Sequence, residues 1–259
     1  MKRSIVCFVF SLITVLFLIF IMSSTVSAES SVNIKVDSQT GGQDSGITDL
    51  LFLLCVVVLI PTMLLMMTCF TRIVIAFSFL RNAIGTSGSP PNQVIIGLSA
   101  FISVFIMLPV FTQINTQAYK PYKAGDITFQ EAVDKGSEPL KVFMLKQVYK
   151  DDLDMFMSVA DDRGIIDKSQ YDSREKLTQL SIWVVTPAFV TSELKRAFII
   201  GFLLYIPFII IDLVVSSTLM SMGMVMLPPA MISMPFKLML FILADGWNLL
   251  IKSLIVSFN

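Results

Sequence analysis

The 259-residue chain contains no histidine. The commonest general base near neutral pH is therefore missing, and with it the usual triad partner and zinc ligand. Cysteine is scarce. Cys7, Cys55 and Cys69 lie in or beside apolar runs and form no CxxC pair, which argues against a disulfide framework or a zinc site and for small buried hydrophobes. Charge is scarce too: only 15% of residues are ionic, where soluble domains carry roughly a quarter. Lysine plus arginine balance aspartate plus glutamate at 19 each, with no long basic run, so nucleic acid is not an expected partner. Phosphate-loop, dinucleotide and haem motifs are absent from the sequence, and no cofactor is implied.

Hydrophobicity is what the chain has. Apolar residues make up 55%, and the composition reads as an all-α membrane protein or a subunit buried in a large apolar assembly. At the N-terminus Lys2 and Arg3 precede an apolar run over 5–22, then small residues ending at Ala28. This is the pattern of a secretory signal, 1–28. Residues 29–46 are polar and rich in glycine and serine, and read as a flexible extracytoplasmic tail.

Four further apolar stretches, 50–70, 94–111, 198–226 and 229–258, approach or exceed the length needed to cross a ~30 Å hydrocarbon layer. The first two are joined through Pro90-Pro91 and the last two through Pro228-Pro229. The reading is a helical hairpin over 47–113 and a second over 186–259, with Pro228 and Pro229 as the loop-to-helix turn. Between them, 114–185 reads as a soluble extracytoplasmic helical subdomain. Thr128 and Glu131 have capping-box spacing. A helix is expected to open at Ser137 with Pro139 in its first turn and to end at the DDRG of 161–164. Others are expected from about Ser173 and from Pro187, the latter as first helical residue.

The spans carry charges that lipid does not tolerate. Arg72, Glu193, Lys195, Arg196, Asp212, Lys237 and Asp245 sit in or beside them, and Pro61, Pro109, Pro207 and Pro235 interrupt them. An ionised group at bilayer centre costs ~2.5–3.5 kcal/mol even on the gentlest scale. These seven are therefore candidate subunit-interface charges in an oligomer. Glu193 and Arg196 are three apart and can pair along one helix or bridge two subunits. Asp212 is expected to meet a cation on a neighbouring helix, Arg72 or Lys237.

Methionine clusters around the second double proline, at 220, 222, 224, 226, 231 and 234. Flexible thioethers fill irregular gaps and adapt to varied partners. They can serve as filling between helices, or as a ring that excludes water and ions by dewetting.

Two blocks, "IPTMLLMMTCFTRIVIAFSFLRNAIGTSGSPPNQVIIGLSAFISVFIMLPVF" and "TPAFVTSELKRAFIIGFLLYIPFIIIDLVVSSTLMSMGMVMLPPAMISMPFKLMLFILADGW", closely resemble the flagellar FliP family of type III secretion export-gate proteins, over roughly 50–258. The resemblance implies a non-enzymatic core subunit of the flagellar export gate in the inner membrane, at the basal body, with a large extracytoplasmic part. It implies five copies in a helically rising ring with FliQ and FliR, contact with FlhA, FlhB and the rod, and a central pore for unfolded polypeptides. It further implies that Met224, Val225 and Met226 form a pore gasket, with Met222 beside them. Valine stands at 225 where the family often has methionine; it is smaller and stiffer, so a gasket of the same compliance does not follow. Met220, Met231, Met234 and Met239 remain ordinary filling.

Other readings carry less. A virulence injectisome gate would share these features, but the signal sequence fits the flagellar branch better. Copper transport could use thioethers as soft ligands, yet no histidine or nearby cysteine assists. An intramembrane aspartyl protease could use Asp212 and Asp245, yet neither lies in a Gly-x-Gly-Asp setting.

Overall fold

The computed structural model of the chain describes residues 45–86, 88–171, 174–224 and 226–258. The expected signal sequence, the tail as far as residue 44, and Val225 lie outside the described residues. The chain divides into two units, 1–51 and 52–259. The second unit is a helical assembly, entered by a helix that begins at Ser45.

Helices account for every regular element among the described residues: α1 Ser45–Met66, α2 Phe70–Ile84, α3 Asn92–Ile114, α4 Lys120–Ala124, α5 Phe129–Gln147, α6 Lys150–Asp162, α7 Arg174–Leu177, α8 Ile182–Ser221, α9 Pro229–Leu243 and α10 Gly246–Val256. A wide π turn, Asn115–Tyr119, joins α3 to α4, and a 3₁₀ turn, Lys168–Gln170, precedes α7. Residues 92–124 and the 40-residue α8 are each long and apolar enough to cross a membrane. Two further apolar stretches are bent pairs: 57–66 turns by 75° into α2, and α9 turns by 62° into α10. The chain is an all-helical membrane protein.

The bends do not fall at the prolines. Pro61, Pro109, Pro207 and Pro235 all lie inside continuous helices. The first bend is made at Thr68, whose hydroxyl donates to the Leu65 carbonyl at 2.7 Å and accepts from the Phe70 N–H at 3.3 Å. A short polar side chain there replaces the helical bonds on both sides. The second bend is at Asp245, a non-glycine residue in the left-handed region at φ 48°.

Two pairs of helices pack antiparallel to one another. α3 returns along α2, and α9 returns along α8 from Pro228 as cap and Pro229 as first residue. The two hairpins join through α2 packed on α8. At this crossing Gly201 has no Cβ to separate the helices; one placed there would fall 2.4 Å from the Phe79 ring. Phe79 in turn meets Phe198 edge-on at 5.4 Å between centroids. One core gathers Ile73, Phe77 and Leu80 of α2 with Ile102 and Met107 of α3 and Leu250 and Leu254 of α10. A second gathers Met144 of α5, Leu153 and Met157 of α6, and Val185 and Phe189 at the start of α8.

The middle subdomain departs from expectation in detail. The capping box at Thr128 and Glu131 is complete, but α5 starts there and runs on through Ser137 and Pro139, so no helix opens at Ser137. The chain instead turns at Val148 and Tyr149, both extended, and one expected helix becomes two. The turn is held by the Ser192 hydroxyl, which accepts the Tyr149 N–H at 3.0 Å. α6 ends before Gly164 at φ 66°. Ser181 caps α8, so Pro187 lies within the helix rather than at its first position.

Candidate functional site

Burial of charge organises the junction of the hairpins. Arg72 on α2 is 1% exposed and Glu193 on α8 is 0% exposed. Nε of Arg72 donates to Oε2 of Glu193 at 2.7 Å, and Nη2 donates to Oε1. Nη1 donates to the Ser257 carbonyl at 3.1 Å and hydroxyl at 2.9 Å, and Nη2 also reaches Oε1 of Gln147 at 3.2 Å. Every N–H of the guanidinium has a partner, and the plane rests 3.7 Å from the Phe258 ring centroid. Gln147 closes the network by donating to the Phe258 carbonyl at 3.1 Å. This one arginine ties together α2, α5, α8 and the segment after α10. Such a pair is tolerated away from water because every guanidinium N–H and both carboxylate oxygens have a partner.

A second pair joins α8 to α9. Nζ of Lys237 donates to Oδ2 of Asp212 at 2.6 Å and to the Ala83 carbonyl at 3.1 Å. The Ser233 hydroxyl donates to Oδ1 of Asp212 at 2.5 Å. Arg72, Glu193, Asp212 and Lys237 thus find their ionic partners inside the chain. Lys237, not Arg72, is the cation that meets Asp212. Glu193 pairs across helices rather than with Arg196 along its own.

The remaining three candidate charges face outward or partly so. Arg196 donates to Oε1 of Gln147 at 2.6 Å and lies 4.5 Å from the Tyr149 ring centroid. Lys195 is exposed, 5.2 Å from the same ring. Asp245 is exposed at the α9–α10 bend and accepts from Asn248. Asp212 and Asp245 therefore hold separate partners.

The methionine loop is launched by a defined stop. At the end of α8 the Gly223 N–H donates to the Met220 carbonyl and the Met224 N–H to the Leu219 carbonyl, both at 3.0 Å. With Gly223 at φ 77°, this is a complete Schellman motif. It delivers Met222, 68% exposed, and Met226, 97% exposed, to the surface, with Met224 at 41%. Pro228 and Pro229 then start α9 without needing an N–H in its first turn. The short loop reverses the chain and leaves thioethers outermost. Among the described residues no three His, Cys, Asp or Glu side chains gather to hold a metal.

Gln147, Ser233, Ser257 and Phe258 were not foreseen as members of these sites. Only the third dimension brings Gln147 and Ser257 to Arg72, 75 and 185 positions away.

A helical pair of hairpins with buried internal ion pairs and an exposed methionine turn is matched, in sequence, by one family model, FliP, over residues 53–254. The chain belongs to the FliP family. It is 50% identical over 214 residues to the flagellar biosynthetic protein FliP of Bacillus subtilis, covering 83% of this chain and 93% of the relative. It is 50% identical over 208 residues to that of Pectobacterium carotovorum, covering 80% and 77%. With that of Borreliella burgdorferi it is 40% identical over 259 aligned residues, covering 97% and 98%. The FliP match takes in α2 through α9 whole, and with them both ion pairs and the methionine loop.

Proposed function

We propose that the chain is a wall-and-gate subunit of the flagellar protein export apparatus in the cytoplasmic membrane. Several copies, joined by FliQ- and FliR-type subunits, surround a pore for unfolded polypeptide, and no chemical step is assigned to the chain. FlhA- and FlhB-type components and the basal body are its further partners, and export energy comes from other subunits. Family membership supports the flagellar role. The observation that carries the gate is the methionine turn: a rigid stop and a double proline hold a short loop that spends thioethers on the surface, where a folded monomer gains nothing from them. Met222, Met224 and Met226, with Val225 between them, pack against the same residues of other copies and close the pore to water and ions. An unfolded segment parts them because thioethers repack at little cost.

The exposed apolar faces of α3 and α8 support assembly. Phe101 and Phe105 of α3 and Phe198, Phe202 and Leu213 of α8 are all exposed, and large apolar side chains grouped on a helix face call for a covering partner. The test is ionic leak. Cells carrying Met224→Ala with Met226→Ala should conduct ions through the assembled gate while still exporting substrate. Unchanged conductance, with the complex assembled at normal copy number, overturns the seal.

A further inference from the structure

Beside the Arg72 network lies an open pocket of about 390 Å³, lined by Lys146, Gln147, Tyr149, Arg196, Ile199 and Ile200 among others, none of them acidic. Its positive charge is not balanced from within the chain. Glu193 is matched to Arg72, and Asp152 accepts the Ser192 hydroxyl at 2.6 Å. Arg196 gives one N–H to Gln147 at 2.6 Å and lies over the Tyr149 ring, which fixes its direction and leaves the rest of its donor fork free. Lys146 is exposed and has no carboxylate partner among the described residues. The pocket is a preformed seat for a carboxylate.

The helix that supplies Lys146 also carries the matching charge. Asp134 and Glu138 lie one turn apart on α5, both exposed. Like charges at this spacing repel along a helix, and neither side chain meets a cation of the chain among the described residues. Glu138 stands about 12 Å back along the axis from Lys146 at 1.5 Å per residue. One subdomain thus shows two patches of opposite sign, a ridge and a recess, each without a partner in its own copy. The recess also borders the apolar face through which copies are proposed to meet: Ile199 on its wall is exposed and adjoins Phe198 and Phe202.

We infer that the Asp134–Glu138 ridge of one copy seats in the Lys146–Arg196 recess of the next. Arg196 takes a carboxylate through paired N–H donors, and Lys146 supplies the second cation. The ridge and the recess are different surfaces, so the contact is heterologous: each copy gives one and receives one, and repetition builds a ring or a helix. Charged contacts at the edge of an apolar interface fix register and exclude wrong partners more than they add affinity, so this one sets how far each copy is offset from its neighbour. The inference rests on the reading that several copies assemble, and it is independent of the methionine seal.

The experiment is oxidation of the full export-gate complex in detergent, with the chain carrying Glu138→Cys together with Lys146→Cys. Within one copy these positions are about 12 Å apart along α5, beyond the ~7 Å between Cα atoms that a disulfide can bridge, so each bond between them joins two copies. Denaturing, non-reducing electrophoresis should show a ladder of trimers and longer chains that reduction collapses. Neither single variant, nor the unsubstituted chain with its own cysteines, should form that ladder. A product that stops at dimers overturns the head-to-tail contact. Monomers alone, from a complex of normal copy number, overturn the pairing while the assembly reading stands; an unsubstituted chain that never assembles in several copies overturns both. Charge reversal is the second arm, at positions exposed enough to leave the fold of each copy alone. Glu138→Lys and Lys146→Glu should each lower the yield of assembled complex roughly threefold, and the two reversals in one chain should recover at least roughly half of the loss. No recovery overturns the inference, as does cross-linking of Lys146→Cys to other subunits in preference to a second copy.

Discussion

Arg72 and Glu193, 121 positions apart in sequence, meet as a doubly hydrogen-bonded ion pair with neither side chain open to water. Removing one partner strands the other charge out of reach of water, beside the Phe258 ring. Arg72→Met or Glu193→Met should each destabilise the fold by about 3–5 kcal/mol. The double replacement should cost markedly less than the two together, because no charge is then stranded. Denaturant titration of the purified proteins in detergent measures both, and strict additivity would contradict the pairing.

The Asp212–Lys237 pair should respond asymmetrically. The lysine side chain is 7% exposed and the aspartate 41%. Asp212→Ala leaves an ammonium in the α2–α8–α9 junction with only the Ala83 carbonyl for company. Lys237→Met leaves a carboxylate that water and Ser233 can satisfy. The aspartate change should cost about 3 kcal/mol and the lysine change about 1 kcal/mol. Equal losses would show that both ends of the pair are equally shielded.

The α2–α8 crossing depends on a missing methyl. A Cβ on residue 201 would fall 2.4, 2.5 and 3.0 Å from three atoms of the Phe79 ring. The near atoms are at the base of the ring, so Phe79 cannot simply swing its tip away while keeping its contact with Phe198. Gly201→Ala should destabilise by roughly 1–3 kcal/mol. Phe79→Leu should recover part of that loss in the double variant while being mildly harmful alone. Thermal unfolding of the four proteins in a double-mutant cycle reads the coupling.

The fold class was legible because hydropathy is a local signal. The bend at Thr68 was not: threonine in an apolar run looks like any other residue until its hydroxyl takes both backbone bonds. Pro139 and Pro187 misled in the opposite direction. Each looks like a helix start by local rule, yet the capping box at Thr128 and the serine cap at 181 had already begun those helices. The charges showed that partners were needed but not where those partners lay. Glu193 has a cation three residues away, and its true partner comes from α2 because the hairpins stack there. The methionine loop was visible as composition, while its rigid Schellman stop depended on backbone bonds that composition does not display.

Acid should loosen the start of α5 selectively. The Thr128 N–H and hydroxyl both donate to the Glu131 carboxylate, and Lys135 adds a favourable charge, so its pKa is held below the ordinary 4.5. A lowered folded-state pKa means the cap's contribution is complete above about 4.5 and is lost as pH falls through the lower folded value. Amide exchange in the first turn of α5, compared at equal intrinsic rates, should speed up relative to α6 in that window. Glu131→Gln keeps an acceptor for the Thr128 N–H but cannot titrate, so its first turn should show no such change.

Gly223 separates the loop's backbone from its side chains as a cause of sealing. It sits at φ 77° with nothing within 4 Å of where a Cβ would point, so substitution there introduces no clash. Gly223→Ala should cost about 1 kcal/mol through backbone conformation alone, and Gly223→Asn, which tolerates the left-handed region, should cost less. The energetic effect is small against the whole fold, so copies should still accumulate and assemble. The loop's aim is another matter. Without the left-handed turn, the bond from the Met224 N–H to the Leu219 carbonyl cannot form in its present register, and Met224 and Met226 leave α8 in a different direction. Gly223→Ala should therefore leak ions although every methionine is present, and Gly223→Asn should leak less. If alanine at 223 seals as well as glycine, the thioethers close the pore from a flexible tether and the rigid stop has no part in it. A graded leak in the order Gly, Asn, Ala instead assigns the seal to the direction in which the backbone delivers those side chains.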